Sequence, residues 1–269
     1  MASTRVLAVL HPGAMGVAVA ACLVGRGHEV GWLRTGRSEA TVQRAVQAGL
    51  TPFDDLAELL AHADIVFSIC PPHGALDVAE ALAGFGGIVV DANAISPEAS
   101  LLIGRTVTGG GARYVDGGII GPPPVTTGTT RLYLAGDDGE VASLFAGSAL
   151  DAVSLAGAPP AASALKMTYA AWTKTTAALL VSIRDTAAAY GVDADLATEW
   201  AISQPHLAEA WLRAREQSHQ KGWRWSYELA EVSRTFAAVG QPEGFGVAAS
   251  EVFAASSNQD LRRWALAVR

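Results

Sequence analysis

Cysteine is nearly absent from this sequence: Cys22 and Cys70 are the only two in 269 residues. Two thiols cannot build a disulfide framework or a cysteine metal cage, so a reducing compartment and no metal site are expected. Each sits in an apolar stretch where packing as a small hydrophobe suffices. Charge is sparse as well, at 17% of residues, and the formal balance is -7. Such a chain lacks the basic face that binds nucleic acid. No apolar run reaches the roughly 18 residues that would suggest a membrane span. The opening Met1 to Arg5 leads straight into an apolar run, without the layout of a secretory leader. No nucleic-acid or membrane partner is therefore expected, and these absences together read as cytoplasmic. Hydrophobic residues make up 50% of the chain, enough to give one large domain or two small ones a real core.

Short apolar runs ending in Gly, Pro, Asp or Asn alternate with Ala- and Leu-rich stretches as far as Pro160. Strands are expected near 5–10, 29–33, 65–70, 87–91, 113–117, 130–135 and 151–155. Helical stretches between the early runs imply a parallel sheet covered on both faces. After Pro159 and Pro160 the pattern changes. Ser163 to Tyr190 contains no glycine or proline and reads as one long helix. Further helices are expected near 193–203, 205–220, 226–239 and 244–256, broken at Pro205, at Gly222 and from Gly240 to Pro242. The expected fold is thus an α/β domain over 1–160 and an all-α domain over 161–269, joined by the long helix. Six of the seven tryptophans, at 172, 200, 211, 223, 225 and 264, fall in the helical half. That much aromatic area exceeds what a small bundle covers by itself, so a homodimer through these helices is expected. Packing within the bundle and against the first domain is the duller alternative.

Val6 to Leu10 runs into His11, Pro12, Gly13, Ala14, Met15 and Gly16, then Ala-rich sequence to Gly27 and a second apolar run from Val30 to Leu33. A strand, a glycine-bearing turn, a helix and a strand in that order open a dinucleotide-binding unit. Glycine lets the backbone approach a pyrophosphate, and the helix start offers unpaired N–H groups to the anion. His11 stands where the first glycine of the usual pattern would be, while Gly13 and Gly16 keep the phosphate-approach and helix-packing roles. Pro12 to Gly16 are the expected cradle for the diphosphate, and His11 is read as structural rather than catalytic. An NAD site usually ends its second strand with Asp or Glu. Here Leu33 and Arg34 stand there, Thr35, Arg37 and Ser38 follow, and no acidic residue lies between Glu29 and Glu39. Two guanidiniums and two hydroxyls suit the 2′-phosphate of NADP(H), each charge-assisted bond contributing about 1.5–3 kcal/mol. The competing readings are a solvated basic loop, and NAD with Arg34 stacked on adenine.

Gly13 to Gly16, with Gly27, His28, Glu29 and Val30, resembles the start of the β-hydroxyacid dehydrogenase superfamily. That group includes 6-phosphogluconate and 3-hydroxyisobutyrate dehydrogenases, with imine reductases as close relatives. Cys70-Pro71-Pro72, Asp91 to Pro97, Val115 to Pro122 and Lys166 to Tyr169 extend the resemblance over the whole chain. The second half is most similar to a branch with a C-terminal domain of unknown function. The resemblance implies a Rossmann domain joined by a long helix to a helical dimerisation domain. It also implies Cys70, Pro71 and Pro72 along the cofactor cleft, with Asn93 near the nicotinamide ribose and Ser96 near the substrate. Ile120, Gly121 and Pro122 fall on the family's substrate loop. Two departures stand out: Ile120 replaces a serine, and Ala170 replaces an asparagine four residues after the family's lysine. Prolines 122, 123 and 124 offer no N–H to a carboxylate, so a bulkier or less acidic substrate is expected.

Hydride transfer requires a proton donor near the nicotinamide. Lys166 matches the family's lysine at the start of the long helix, where the macrodipole favours the neutral amine. A snorkelling surface lysine is the bland alternative. Tyr169 is the reserve donor, since tyrosine serves this purpose in some imine reductases, and Thr173 shares its helical face as a substrate contact. Lys174, about 80° around a regular helix, reads as solvated. Glu228 and Glu231 are read either as facing a partner's cleft or, through Arg224 and Glu228, as a surface helix pair. The expected activity is an NADPH-dependent oxidoreductase acting on a small ketone or secondary alcohol. An imine reductase and a non-catalytic NADPH sensor remain as alternatives.

Overall fold

The alternation of apolar runs and Ala-rich stretches resolves into strands and helices in turn. The first are β1 (Val6–Val9), α1 (Ala14–Val24), β2 (Glu29–Leu33), α2 (Glu39–Gln47), β3 (Thr51–Phe53), α3 (Leu56–His62) and β4 (Ile65–Ser68). Next come α4 (Ala75–Ala81), β5 (Ile88–Asp91), α5 (Pro97–Gly109), β6 (Arg113–Ile120), β7 (Thr130–Ala135), α6 (Glu140–Ser143) and β8 (Leu150–Ser154). The computed structural model describes residues 6–267, and the backbone alone at 221, 223, 224 and 256–267. The chain divides into two compact units, the second beginning at Met167.

In the first unit all eight strands form one sheet in the order β3-β2-β1-β4-β5-β6-β7-β8. β1 lies between β2 and β4, both parallel to it, so successive connections leave in opposite directions. That reversal opens a crevice at the carboxyl ends of β1 and β4, the place where open α/β sheets bind ligands. β1 alternates its side chains between two cores: Leu7 and Val9 pack with α1, and Ala8 and Leu10 with residues of α3, α4 and α5. Burial on both faces explains why β4 and β5 read as unbroken apolar runs.

Two features of the sheet differ from the sequence expectation. β3 is an additional three-residue strand at the edge, where Pro52 is tolerated because its missing N–H faces away from the ladder. β7 runs antiparallel to β6, because the connecting segment 121–129 is too short to carry a crossover helix.

The second unit is helical. α7 (Ala161–Ala170) begins in the first unit, crosses the boundary at Met167 and continues through a π-turn at Ala171–Thr175 into α8 (Thr176–Ala189). α9 (Asp193–Ser203), α10 (Leu207–Ala238) and α11 (Gly244–Ala267) follow. Their core gathers Ala177, Ala178, Val181, Ala214, Leu229, Ala249 and Phe253. The expected break at Gly222 does not occur, and α10 passes through it for 32 residues. A lone glycine costs a helix interior only about 1 kcal/mol relative to alanine, which packing along α8 and α11 outweighs. The tryptophans do not all bury: Trp200 is enclosed, Trp225 packs edge-on against Phe253, and Trp172 is 70% exposed. The side chains of Trp223, Arg224 and Trp264 lie outside the described residues, as do Met1 to Arg5.

Candidate functional site

The turn after β1 is built by its backbone. Gly13 N–H donates to His11 O at 2.8 Å across Pro12, and Val17 N–H makes the first bond of α1 to Gly13 O at 2.9 Å. The amides of Ala14, Met15 and Gly16 thus precede the helical ladder, no side chain caps them, and the first turn carries no acidic residue. The two glycines have different reasons to be glycine. A Cβ on Gly16 would lie 2.3 Å from His11 O, so its absence lets α1 start against the strand end. A Cβ on Gly13 would meet nothing within 4 Å, which leaves open space in front of the free amides. Such a cradle fits a diphosphate.

Past β2 the two arginines part company. Arg34 is held by Asp54 just beyond β3, donating its Nε to Oδ1 at 2.8 Å and its Nη2 to Oδ2. Thr35 Oγ1 donates to the Asp54 carbonyl at 2.6 Å. The ion pair and its hydrogen bonds raise Arg34 and lower Asp54 relative to their ordinary values. Arg37 has no carboxylate partner among the described residues, and its Nε donates to Leu33 O at 3.3 Å. Burial lowers its affinity for a proton somewhat, with Cys70 acting against this. Ser38 is the N-cap of α2, its Oγ accepting from Thr41 N–H. Asp54 was not visible as part of this site in the sequence. Only the pairing of Leu33 with Phe53 brings the carboxylate beside Arg34.

His11 lies where Arg37 can act on it. Burial first, and then the Arg37 guanidinium, hold the imidazole down at about 4, so it is neutral at physiological pH. Its Nδ1 is buried with no hydrogen-bond partner among the described residues. Nearby, burial and then Asp91 push the Cys70 thiol up to about 12, so it is no thiolate nucleophile.

Asn93 is occupied within the protein. Its Oδ1 accepts from Cys70 N–H at 2.6 Å, and its Nδ2 donates to Ser68 Oγ at 2.9 Å and Asp91 Oδ2 at 3.1 Å. This network ties the end of β4, followed by Pro71 and Pro72, to the end of β5. Burial pushes the Asp91 carboxyl up to about 7 against the pull of the Asn93 bonds. Ser96 is enclosed as the N-cap of α5, its Oγ accepting from Ala99 N–H.

A second buried carboxylate fixes the helix that carries Lys166. Asp116 of β6 accepts from Ala162 N–H at 2.8 Å, Ser163 N–H at 3.0 Å, Ser163 Oγ and, at 2.9 Å, Ser100 Oγ. β6 continues through Gly118, where a Cβ would lie 2.7 Å from Ala162 O and 3.1 Å from Lys166 Cβ. The bare glycine therefore lets α7 lie against the strand that ends at Ile120. Gly121 turns with φ +126°, and a Cβ there would lie 2.4 Å from Thr129 O, while Pro122 O accepts from Thr130 Oγ1 at 2.5 Å. Lys166 is half-buried in the second turn of α7. The helix begins at Ala161 rather than Ser163, so the macrodipole bears on Lys166 less than expected, since its effect fades after one turn.

In the second unit, Tyr169 is 46% exposed, and Thr173 Oγ1 donates to its carbonyl at 3.2 Å. The π-turn departs from 3.6 residues per turn, so counting by 100° fails beyond it. Lys174 is accordingly not solvated: it is 9% exposed and pairs with Glu228 at 2.8 Å, with the Trp225 ring 5.7 Å away. Glu231 is likewise buried, and Arg234 donates to it one turn on. No cluster of metal-ligating side chains occurs among the described residues.

The model of the family described as the NAD binding domain of 6-phosphogluconate dehydrogenase matches residues 7–151, and a domain of unknown function matches 187–256. Several solved structures are similar. One is a conserved protein of unknown function described as structurally similar to 3-hydroxyacid dehydrogenases. It is 25% identical with a TM-score of 0.74, covering 95% of this chain and 98% of its own. The Mycobacterium tuberculosis 3-hydroxyisobutyrate dehydrogenase with L-serine is 19% identical at a TM-score of 0.69, over 94% of this chain and 93% of that one. A reductive aminase from Aspergillus terreus, in complex with NADPH and ethyl levulinate, is 16% identical at 0.56, over 96% and 95%. No curated protein matches the chain.

Proposed function

The chain belongs to the family of the NAD-binding domain of 6-phosphogluconate dehydrogenase, and from that premise we propose that it is an NADPH-dependent oxidoreductase acting on a small ketone or secondary alcohol. The observation that carries the cofactor choice is the contrast at the end of β2. A part-buried guanidinium without a carboxylate partner among the described residues, Arg37, stands at a strand end that lacks the acidic residue an NAD ribose would use. The bound nicotinamide would supply the hydride. The chain's own residues do the rest. The amides of Ala14, Met15 and Gly16 hold the diphosphate in front of Gly13. Lys166, pressed against Gly118, gives a proton to the substrate oxygen or takes one from it, with Tyr169 as the reserve donor and Thr173 beside it. Ile120, Gly121 and Pro122, together with Ser96, shape an apolar substrate segment poor in N–H donors. That poverty also favours a second reading, reduction of a C=N bond, because an imine substrate needs no carboxylate grip. Both cysteines are free thiols, which suits a cytoplasmic enzyme.

Calorimetric titration with NADPH and NADH, followed by nicotinamide absorbance with panels of ketones, secondary alcohols and cyclic imines, tests this. NADPH should bind at least about tenfold more tightly than NADH. Lys166→Ala should lower kcat by about 10²–10⁴ while leaving the NADPH affinity nearly intact. Undiminished turnover in that variant would remove Lys166 from the proton-transfer role. Tight binding with no turnover on any substrate would make the protein a nucleotide sensor instead.

A further inference from the structure

We propose that the His11 side chain is a ligand of the cofactor's 2′-phosphate, sharing it with Arg37. The inference deepens the NADPH reading above and rests on it. His11 stands at the carboxyl end of β1, at the point where the strand order reverses. The tight turn there is made by backbone alone, with His11 O accepting from Gly13 N–H at 2.8 Å and standing against Gly16. A glycine would close the same turn, so the imidazole is not needed to form it. Its Nδ1 is nevertheless buried and makes no hydrogen bond among the described residues. A buried polar atom left without a partner is uncommon and calls for an account, one of which is a ligand that completes it.

What surrounds the imidazole says which part of the ligand this is. Arg37 is the charged group that bears on His11, and Cys70 on the next strand end bears in turn on Arg37. Arg37 spends its Nε on Leu33 O and has no carboxylate partner among the described residues. An anion between them would meet a guanidinium and a neutral imidazole able to donate one N–H. The diphosphate has its own donors at the start of α1, in front of Gly13. Arg37 lies beyond β2, on the side where a dinucleotide carries its adenosine ribose. A phosphate monoester on that ribose offers three acceptor oxygens to the pair. The hydroxyl of NADH offers one acceptor and no negative charge.

The test uses the full chain, with NADPH, NADH and 2′,5′-ADP as calorimetric probes. His11→Gly restores the residue that the turn tolerates, and His11→Asn places an amide nitrogen near the position of Nδ1. His11→Gly should weaken NADPH and 2′,5′-ADP about tenfold and leave NADH within about twofold. His11→Asn should keep most of the parent affinity. Equal loss of NADPH and NADH, or no loss of either, overturns the proposal. A parent protein that prefers NADPH, with a His11→Gly variant that keeps the whole preference, defeats this inference alone. A parent that binds no nucleotide defeats the oxidoreductase reading and this inference with it.

Discussion

Arg34 and Arg37 stand three positions apart and meet opposite electrostatic surroundings. Arg34 already satisfies a carboxylate through two of its nitrogens, so a phosphate gains from it only what the exposed remainder of the fork can add. Arg37 is partly desolvated and holds one long bond to a carbonyl, so a phosphate there replaces little and gains a charge-assisted contact. Arg37→Ala is therefore expected to weaken NADPH about tenfold or more, and Arg34→Ala distinctly less, in parallel fluorescence titrations. Equal losses would mean that Arg34 leaves Asp54 when the cofactor arrives. The sequence names both arginines, because their spacing after an apolar run is local information. It does not name Asp54, whose place depends on which strand lies beside β2. Asn93 teaches the same lesson: its residue type fits a ribose contact, but the protein's own network engages both ends of its amide.

Among the elements, α7 depends most visibly on a single residue. Its first-turn N–H groups at Ala162 and Ser163 are satisfied from β6, by Asp116. Asp116→Ala leaves the buried N–H groups of Ala162 and Ser163 and two hydroxyls without their acceptor. Denaturant unfolding should show a loss of about 2–4 kcal/mol, and a loss below about 1 kcal/mol would show that water replaces the carboxylate. Strand and helix placement was largely legible, since β1, β2, β4 to β8 and α9 follow apolar period and punctuation. Three elements were not. β3 is too short to show a period, α10 overrides Gly222 by packing, and the π-turn inserts an irregularity that Ala171 to Thr175 does not advertise by composition. The buried pair of Lys174 and Glu228 is a consequence of that turn, so a lysine read as solvated lies inside the bundle.

On the scale of the whole molecule, the helical unit leaves much apolar surface open. Tyr169, Trp172, Leu179, Tyr190, Ile202 and Phe245 are each 46% to 81% exposed. Scattered apolar residues are ordinary on a surface, but so many large ones on one small helical unit point to a protein partner. We propose a homodimer through these helices as the occupant. Light scattering behind size exclusion should find two chains per particle at micromolar concentration, and a single chain per particle would defeat the proposal. No helix among the described residues is long and apolar enough to cross a membrane.

The contrast between Gly13 and Gly16 has a consequence for how this protein can drift. Gly13 sits in ordinary extended backbone with room in front of it, so only a visiting molecule objects to a methyl there. At Gly16 the objection comes from the protein itself, through the carbonyl 2.3 Å away from any added carbon. A descendant that abandoned nucleotides would be free to lose the former and bound to keep the latter. The first of these two positions therefore records whether the pocket is still in use, and the second records only that the scaffold survives.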